Sequence, residues 1–246
     1  MSNKARALIL SGDGINCEQE TAYAAKETGF LAKTIHVNDF LAEKGKSLDG
    51  ASLLVIPGGF SFGDELGSGK ILALKLKHGL GEVLTKFIER RGAVLGICNG
   101  FQVLTRLGVF GSGVVLAQNE QGHFINRWVR LEISGPSIFT DRLRDRGITT
   151  LELPVRHGEG RLVFADEKDA LKAKQEGQIV LRYTEDVNGS WNQTAGLTTA
   201  QGRVMGLMPH PEAFWTDELH PGGRGEKVPL GIELFSNAYE QLKDAR

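Results

Sequence analysis

Short apolar runs rich in branched side chains alternate with stretches of helical period through the first half of the chain. "ARALILS" (5–11), "AKTIHV" (32–37), "ASLLVIPGG" (51–59) and "GAVLGIC" (92–98) fit strands. Between them, "NCEQETAYAAKETGF" (16–30) opens on Asn16 and Gln19 at capping-box spacing and closes at Gly29, while "GEVLTKFIERRG" (81–92) ends in basic residues before a glycine; both fit helices. Strand, helix, strand, repeated, predicts an α/β fold with a doubly wound, mostly parallel sheet. The second half changes period. "HFINRWVRLEI" (123–133), "GQIVLRY" (177–183) and the pair "TAGLTT" and "RVMGLMP" (194–199, 203–209) predict an added antiparallel β portion, with the last pair as a hairpin. "VPLGIELFSNAYEQLKDAR" (228–246) closes the chain as an amphipathic helix. No linker-like segment, repeat or low-complexity tract divides residues 1–246, so a single domain is expected.

Composition narrows the classes of function. The 246 residues are 41% hydrophobic and 24% charged, ordinary for a globular chain with a sizeable core. Lys and Arg number 29 against 30 Asp and Glu, a net charge of -1, so there is no global basic field for nucleic acid or anionic lipid. The four apolar residues Ala7 to Leu10 are too few for a signal peptide, and no apolar run has membrane length. A cytoplasmic protein is the expectation. Cys17 and Cys98 lie far apart without Cys-x-x-Cys spacing, which argues against a disulfide framework and against a zinc site.

The chemistry is sought where ligands of doubly wound sheets bind, beyond the carboxyl ends of the strands. Cys98 occupies such an end. A free cysteine often packs simply as a small hydrophobe, but "GICNGFQ" (96–102) has the strand, Gly-x-Cys-x-Gly, helix order of a nucleophile elbow. Gly96 and Gly100 would let strand and helix meet closely, and the N-terminus of the helix beginning near Asn99 would aim free N–H groups at the sulfur. In "MPHPE" (208–212) the prolines constrain the backbone, and on an extended segment His210 and Glu212 face the same way. A carboxylate beside an imidazole fixes its tautomer, the orienting role in a Cys-His-carboxylate triad. The Gly58-Gly59 turn, at another strand end, offers N–H groups for an oxyanion, together with that of Asn99.

Other histidines compete. His220 in "ELHPGG" (218–223), with Glu218 nearby, reads as part of a mobile loop, while His157 in "PVRHGEGRL" (154–162) suggests close backbone contact with something. His36, His78 and His123 read as structural or surface residues. "GSGK" (67–70) is not a phosphate-binding P-loop, because Asp64 stands where its first glycine belongs and Ile71 follows Lys70.

With "PGGF" (57–60), "GICNGFQ" and "PHPE" (209–212) in this order, the chain resembles the class I, or triad, glutamine amidotransferases. "GDGINCEQET", "PGGFSFGDELGSG", "NRWVRLEI", "PVRHGEGRLVF", "DVNGSWNQTAGLT" and "VMGLMPHPE" narrow the resemblance to the family of glutaminase subunits of phosphoribosylformylglycinamidine synthase. The resemblance implies that Cys98 attacks the glutamine carboxamide, that His210 moves protons and that Glu212 orients His210. It also implies that Gly59 and Asn99 supply oxyanion N–H groups and that Gln102 contacts substrate glutamine. It implies ammonia delivery to a large synthetase subunit, with a small bridging subunit, in purine synthesis. ATP and magnesium then belong to the partner, and this chain carries no cofactor or metal. Relative to that family, residues 214–231 look like an insertion.

Overall fold

In the computed structural model, which describes residues 4–222 and 228–244, the chain opens with β1 (Arg6–Ser11), α1 (Glu18–Glu27), β2 (Leu31–His36), α2 (Val37–Ala42) and β3 (Leu53–Ile56). It continues through α3 (Lys70–Glu89), β4 (Ala93–Ile97), α4 (Asn99–Arg106), β5 (Val114–Ala117), β6 (Ile125–Ile133) and α5 (Asp141–Asp145). β7 (Thr150–His157), β8 (Arg161–Phe164), α6 (Glu167–Gln175), β9 (Ile179–Tyr183), β10 (Thr194–Thr199), β11 (Val204–Leu207) and α7 (Leu230–Leu242) complete it.

Nine strands form one sheet in the order β2-β1-β3-β4-β11-β10-β9-β6-β7, and β5 pairs with β8 apart from it. From β2 to β11 the pairing is parallel; from β11 to β7 it is antiparallel. The antiparallel portion therefore continues the parallel sheet. Every residue of β3 and β4 is buried, as expected of central parallel strands covered by helices on both faces. α1 and α5 pack on α7, and α3 packs on α2 and α4, forming the helical layers. No described helix is long and apolar enough to cross a membrane.

Several boundaries differ from the sequence pattern for physical reasons. α3 begins at Lys70, well before residue 81, because Gly79 and Gly81 interrupt the pattern without ending the helix. At Gly79 the glycine has a use: a Cβ there would lie 2.5 Å from Leu41 Cδ2 of α2. The capping box does not form; Cys17 is the N-cap of α1 without a side-chain bond, and Asn16 Oδ1 instead accepts the Cys17 thiol at 3.3 Å. β3 ends at Ile56, and the chain turns so that Gly59 bridges Ile15. β7 carries Pro154, which hides it in the pattern but is tolerated on an edge strand.

Candidate active site

Two adjacent parallel strands bring the separated motifs together. β11 lies beside β4 with Leu207 opposite Ile97, so the chain leaves both strands at the same level, one residue before Cys98 and three before His210. The Cys98 N–H donates to the Leu207 carbonyl at 2.8 Å, which ties the turn to the neighbouring strand. Cys98 has φ +50° and ψ −104°, a backbone shape that L-residues avoid and that a nucleophile elbow requires. The flanking glycines let α4 close down on the sheet. A Cβ at Gly96 would lie 2.7 Å from the Gly100 carbonyl oxygen, and one at Gly100 would overlap the carbonyl of Ile56.

His210 is extended (φ −105°, ψ 90°), and its Nδ1 lies 2.6 Å from Glu212 Oε1. The pairing arises differently from two residues facing alike on a strand: Pro211–Ala213 form a 3-10 turn that folds Glu212 back onto the ring. Gly231 of α7 packs directly against that turn, where a Cβ would collide with the carbonyls of Pro211 and Phe214. The His210 N–H donates to the Pro154 carbonyl of β7 at 2.9 Å, and Cys98 Sγ lies 3.6 Å from the Arg156 carbonyl of the same strand. The last strand of the sheet thus curls back over the ends of β4 and β11.

Burial opposes a charge on His210. The Glu212 carboxylate and the Cys98 sulfur outweigh it and raise the imidazole well above its ordinary value. Nε2 of His210 is buried and without a hydrogen-bond partner. Cys98, His210, Gly59, Asn16, Cys17 and Arg156 line one cleft of about 150 Å3, with the exposed rings of Phe60 and Phe124 at its mouth, 6.3 Å apart between centroids.

Of the other expected residues, Gly59 lines that cleft, and Asn99 and Gln102 do not. Gly59 has φ +145°, and a Cβ would meet the Gly14 carbonyl at 2.6 Å, so only glycine fits the turn. Asn99 is buried behind Cys98; its Oδ1 accepts the Ser61 N–H at 3.2 Å and its Nδ2 donates to Gln102 Oε1 at 2.9 Å. Gln102 Nε2 donates to the Glu159 carbonyl at 2.6 Å, so both ends of its amide are held within the protein. It lines a different hollow, with Lys70 and Arg106.

His157 does make the close contact its glycines suggested. Its ring fills the space beside Gly160, and its Nδ1 lies 3.0 Å from Asn119 Oδ1. Burial lowers its pKa to about 4, so the ring is neutral and the Nδ1–H donates. His220 is corrected from a mobile loop: its ring packs against Trp128 and Phe214, and its Nε2 lies 3.2 Å from Glu152. Within the expected insertion 214–231, residues 223–227 lie outside the described residues.

Cys17 was not foreseen at this place. Its sulfur, an imidazole nitrogen of His210 and a carboxylate oxygen of Glu212 all lie within 4.8 Å of one another. Spacing along the chain says nothing about that proximity, but a search of every strand's carboxyl end would have found it, since Cys17 follows β1.

Residues 4–241 match the model of the CobB/CobQ-like glutamine amidotransferase domain. The chain is 39% identical to the phosphoribosylformylglycinamidine synthase subunit PurQ of Methanococcus maripaludis, over 96% of each chain. It is 34% identical to the subunit of the same name from Dehalococcoides mccartyi, over 96% of this chain and 97% of that one. Among solved structures it is similar to a chain of PurLQS from Thermotoga maritima, with TM-score 0.79 and 33% identity, covering 97% of this chain and 99% of the other.

Proposed function

This chain belongs to the family of the phosphoribosylformylglycinamidine synthase subunit PurQ, within the CobB/CobQ-like glutamine amidotransferases, and on that footing we propose that Cys98, His210 and Glu212 are its catalytic triad. It is a glutamine amidotransferase. The observation that carries the triad is the His210–Glu212 contact at 2.6 Å, with the unpartnered Nε2 of that ring in a cleft shared with Cys98.

Cys98, its proton passed to His210 Nε2, adds to the carboxamide carbon of glutamine. The oxygen that gains charge is held by the N–H groups of Gly59 and Asn99, each such donor contributing about 100–1,000-fold to turnover. Collapse of the adduct returns the proton from His210 to the departing nitrogen, giving ammonia and a γ-glutamyl thioester. Water, deprotonated by His210, then attacks the thioester; glutamate leaves and Cys98 recovers its proton. Glu212 keeps Nδ1 protonated and stabilises the imidazolium that appears twice in the cycle. Gln102 bears on the substrate through Asn99 and the Glu159 segment that its amide holds.

We assign the ammonia to a large synthetase subunit, docked with a small bridging subunit in an assembly like PurLQS. ATP and magnesium serve the partner, and the glutamine half-reaction needs neither. A complex assembled with Cys98→Ala is expected to lose glutamine-dependent synthesis and keep synthesis from added ammonium. If a properly assembled complex loses both, Cys98 is not the nucleophile of an ammonia-supplying subunit.

A further inference from the structure

We propose that Cys17, His210 and Glu212 form a binding site for one thiophilic divalent cation of the zinc type, and that its occupancy halts glutamine hydrolysis. Three donor atoms, a sulfur, a nitrogen and an oxygen, stand within 4.8 Å of one another. Two ligands of one tetrahedral zinc lie roughly 3.3–3.8 Å apart, given bonds of about 2.0–2.3 Å, so the 2.6 Å His210–Glu212 contact must open and the Cys17 sulfur draw in, both by side-chain shifts. Thiolate with imidazole selects zinc, cobalt or cadmium over magnesium or calcium, which take oxygen ligands.

The site is built rather than incidental. Cys17, His210 and Glu212 are 7%, 2% and 0% exposed, and Glu212 Oε2 is buried with no hydrogen-bond partner. A buried carboxylate oxygen of that kind ordinarily has a partner. The Cys17 backbone is fixed, its N–H donating to the Gly58 carbonyl at 3.3 Å and its carbonyl accepting the Thr21 hydroxyl at 2.6 Å. Asn16 Oδ1, 3.3 Å from the sulfur, orients it. Gly58 leaves room between sulfur and ring: a Cβ there would lie 3.4 Å from Cys17 Sγ and 2.7 Å from His210 Cε1. Cys17 and His210 both face the open cleft, which gives a path of entry.

The cation takes the place of the proton between His210 Nδ1 and Glu212. The Cys17 thiol proton passes to solvent, the ring's one proton moves from Nδ1 to Nε2, and no redox change occurs. With the cation on Nδ1 and the ring proton on Nε2, His210 has no site left to accept the Cys98 proton. Binding stands on side-chain placement alone, whereas the inhibition rests on the reading of His210 as proton carrier.

The full chain, freed of metal with a chelator, is titrated with cobalt(II) and its thiolate-to-cobalt charge-transfer absorption recorded; hydrolysis of glutamine is followed in the complex with its synthetase partners. One equivalent of cobalt should produce the absorption, zinc should displace it, and hydrolysis should fall in step and return with chelator. In Cys17→Ser, and in Cys17→Ala as a second variant, metal-free hydrolysis should persist while the absorption disappears and inhibition needs at least about 10–100-fold more zinc. In Cys98→Ala, hydrolysis is lost but the absorption should remain. Absorption that survives loss of Cys17, that vanishes with Cys98, or that never develops overturns the site. Absorption with no metal-free hydrolysis in the complex would overturn the catalytic reading and leave the cation site standing.

Discussion

His210 has two ring nitrogens with opposite surroundings: Nδ1 is bound to a carboxylate that solvent does not reach, and Nε2 is buried without a hydrogen-bond partner. On the proposed triad, that asymmetry fixes the tautomer, and Glu212 positions the ring without itself reacting. Glu212→Gln keeps the shape and removes the charge, so kcat should fall about 100-fold or more with KM little changed, measured by steady-state glutamine hydrolysis. An unchanged kcat would remove Glu212 from the mechanism. His157 shows the contrary use of burial. Its pKa of about 4, against an ordinary 6.5, means that between those values the unfolded chain binds a proton the folded chain refuses. Stability is therefore lost as pH falls through that window, by about 2 kcal/mol between pH 7 and pH 5. Urea unfolding at both pH values should show this loss reduced in His157→Gln; an equal loss in both proteins would place the proton elsewhere. Cys98 and the His210–Glu212 pair were legible in sequence because elbow and pair are local. Cys17 and the carbonyls of Pro154 and Arg156 were not, because folding alone decides what lies beside them.

The elements of the site are joined by backbone approach more than by side-chain contact. α4 sits so close to β3 that Gly100 has no room for a methyl group beside the Ile56 carbonyl. Gly100→Ala should destabilise the chain at or above the upper end of the usual overpacking range of about 1–3 kcal/mol, and should displace Cys98 with the helix. Gly81, inside α3 with nothing within 4 Å of an added Cβ, should behave oppositely, Gly81→Ala adding up to about 1 kcal/mol. Denaturant midpoints of both variants check the pair, and similar midpoints would contradict the packing described. Central strands were readable as unbroken apolar runs. The start of α3 and the whole of β7 were not, since glycine and proline, which ordinarily punctuate elements, here lie inside them.

Across the molecule, the parallel and antiparallel halves share one sheet, joined at β11 by β4 on one side and β10 on the other. Val204, Met205 and Leu207 of β11 are wholly buried, so parting the halves would expose a hydrophobic strand edge on each. We expect a single cooperative unit. Trp128, Trp191 and Trp215 report on the second half of the chain, and their fluorescence transition in urea should coincide with that of far-ultraviolet circular dichroism. Two separated transitions would show that the halves unfold independently. The alternation of apolar runs predicted both kinds of pairing, but the seam between β4 and β11 unites residues more than a hundred positions apart, beyond the reach of any local pattern.

That seam also sets when the enzyme comes into being. Cys98 emerges from the ribosome long before β11 can lie against β4 and deliver His210 beside it, so a polypeptide cut short of β11 carries the thiol without the imidazole proposed to ionise it. On the proposed triad, fragments that stop short of β11 squander no glutamine.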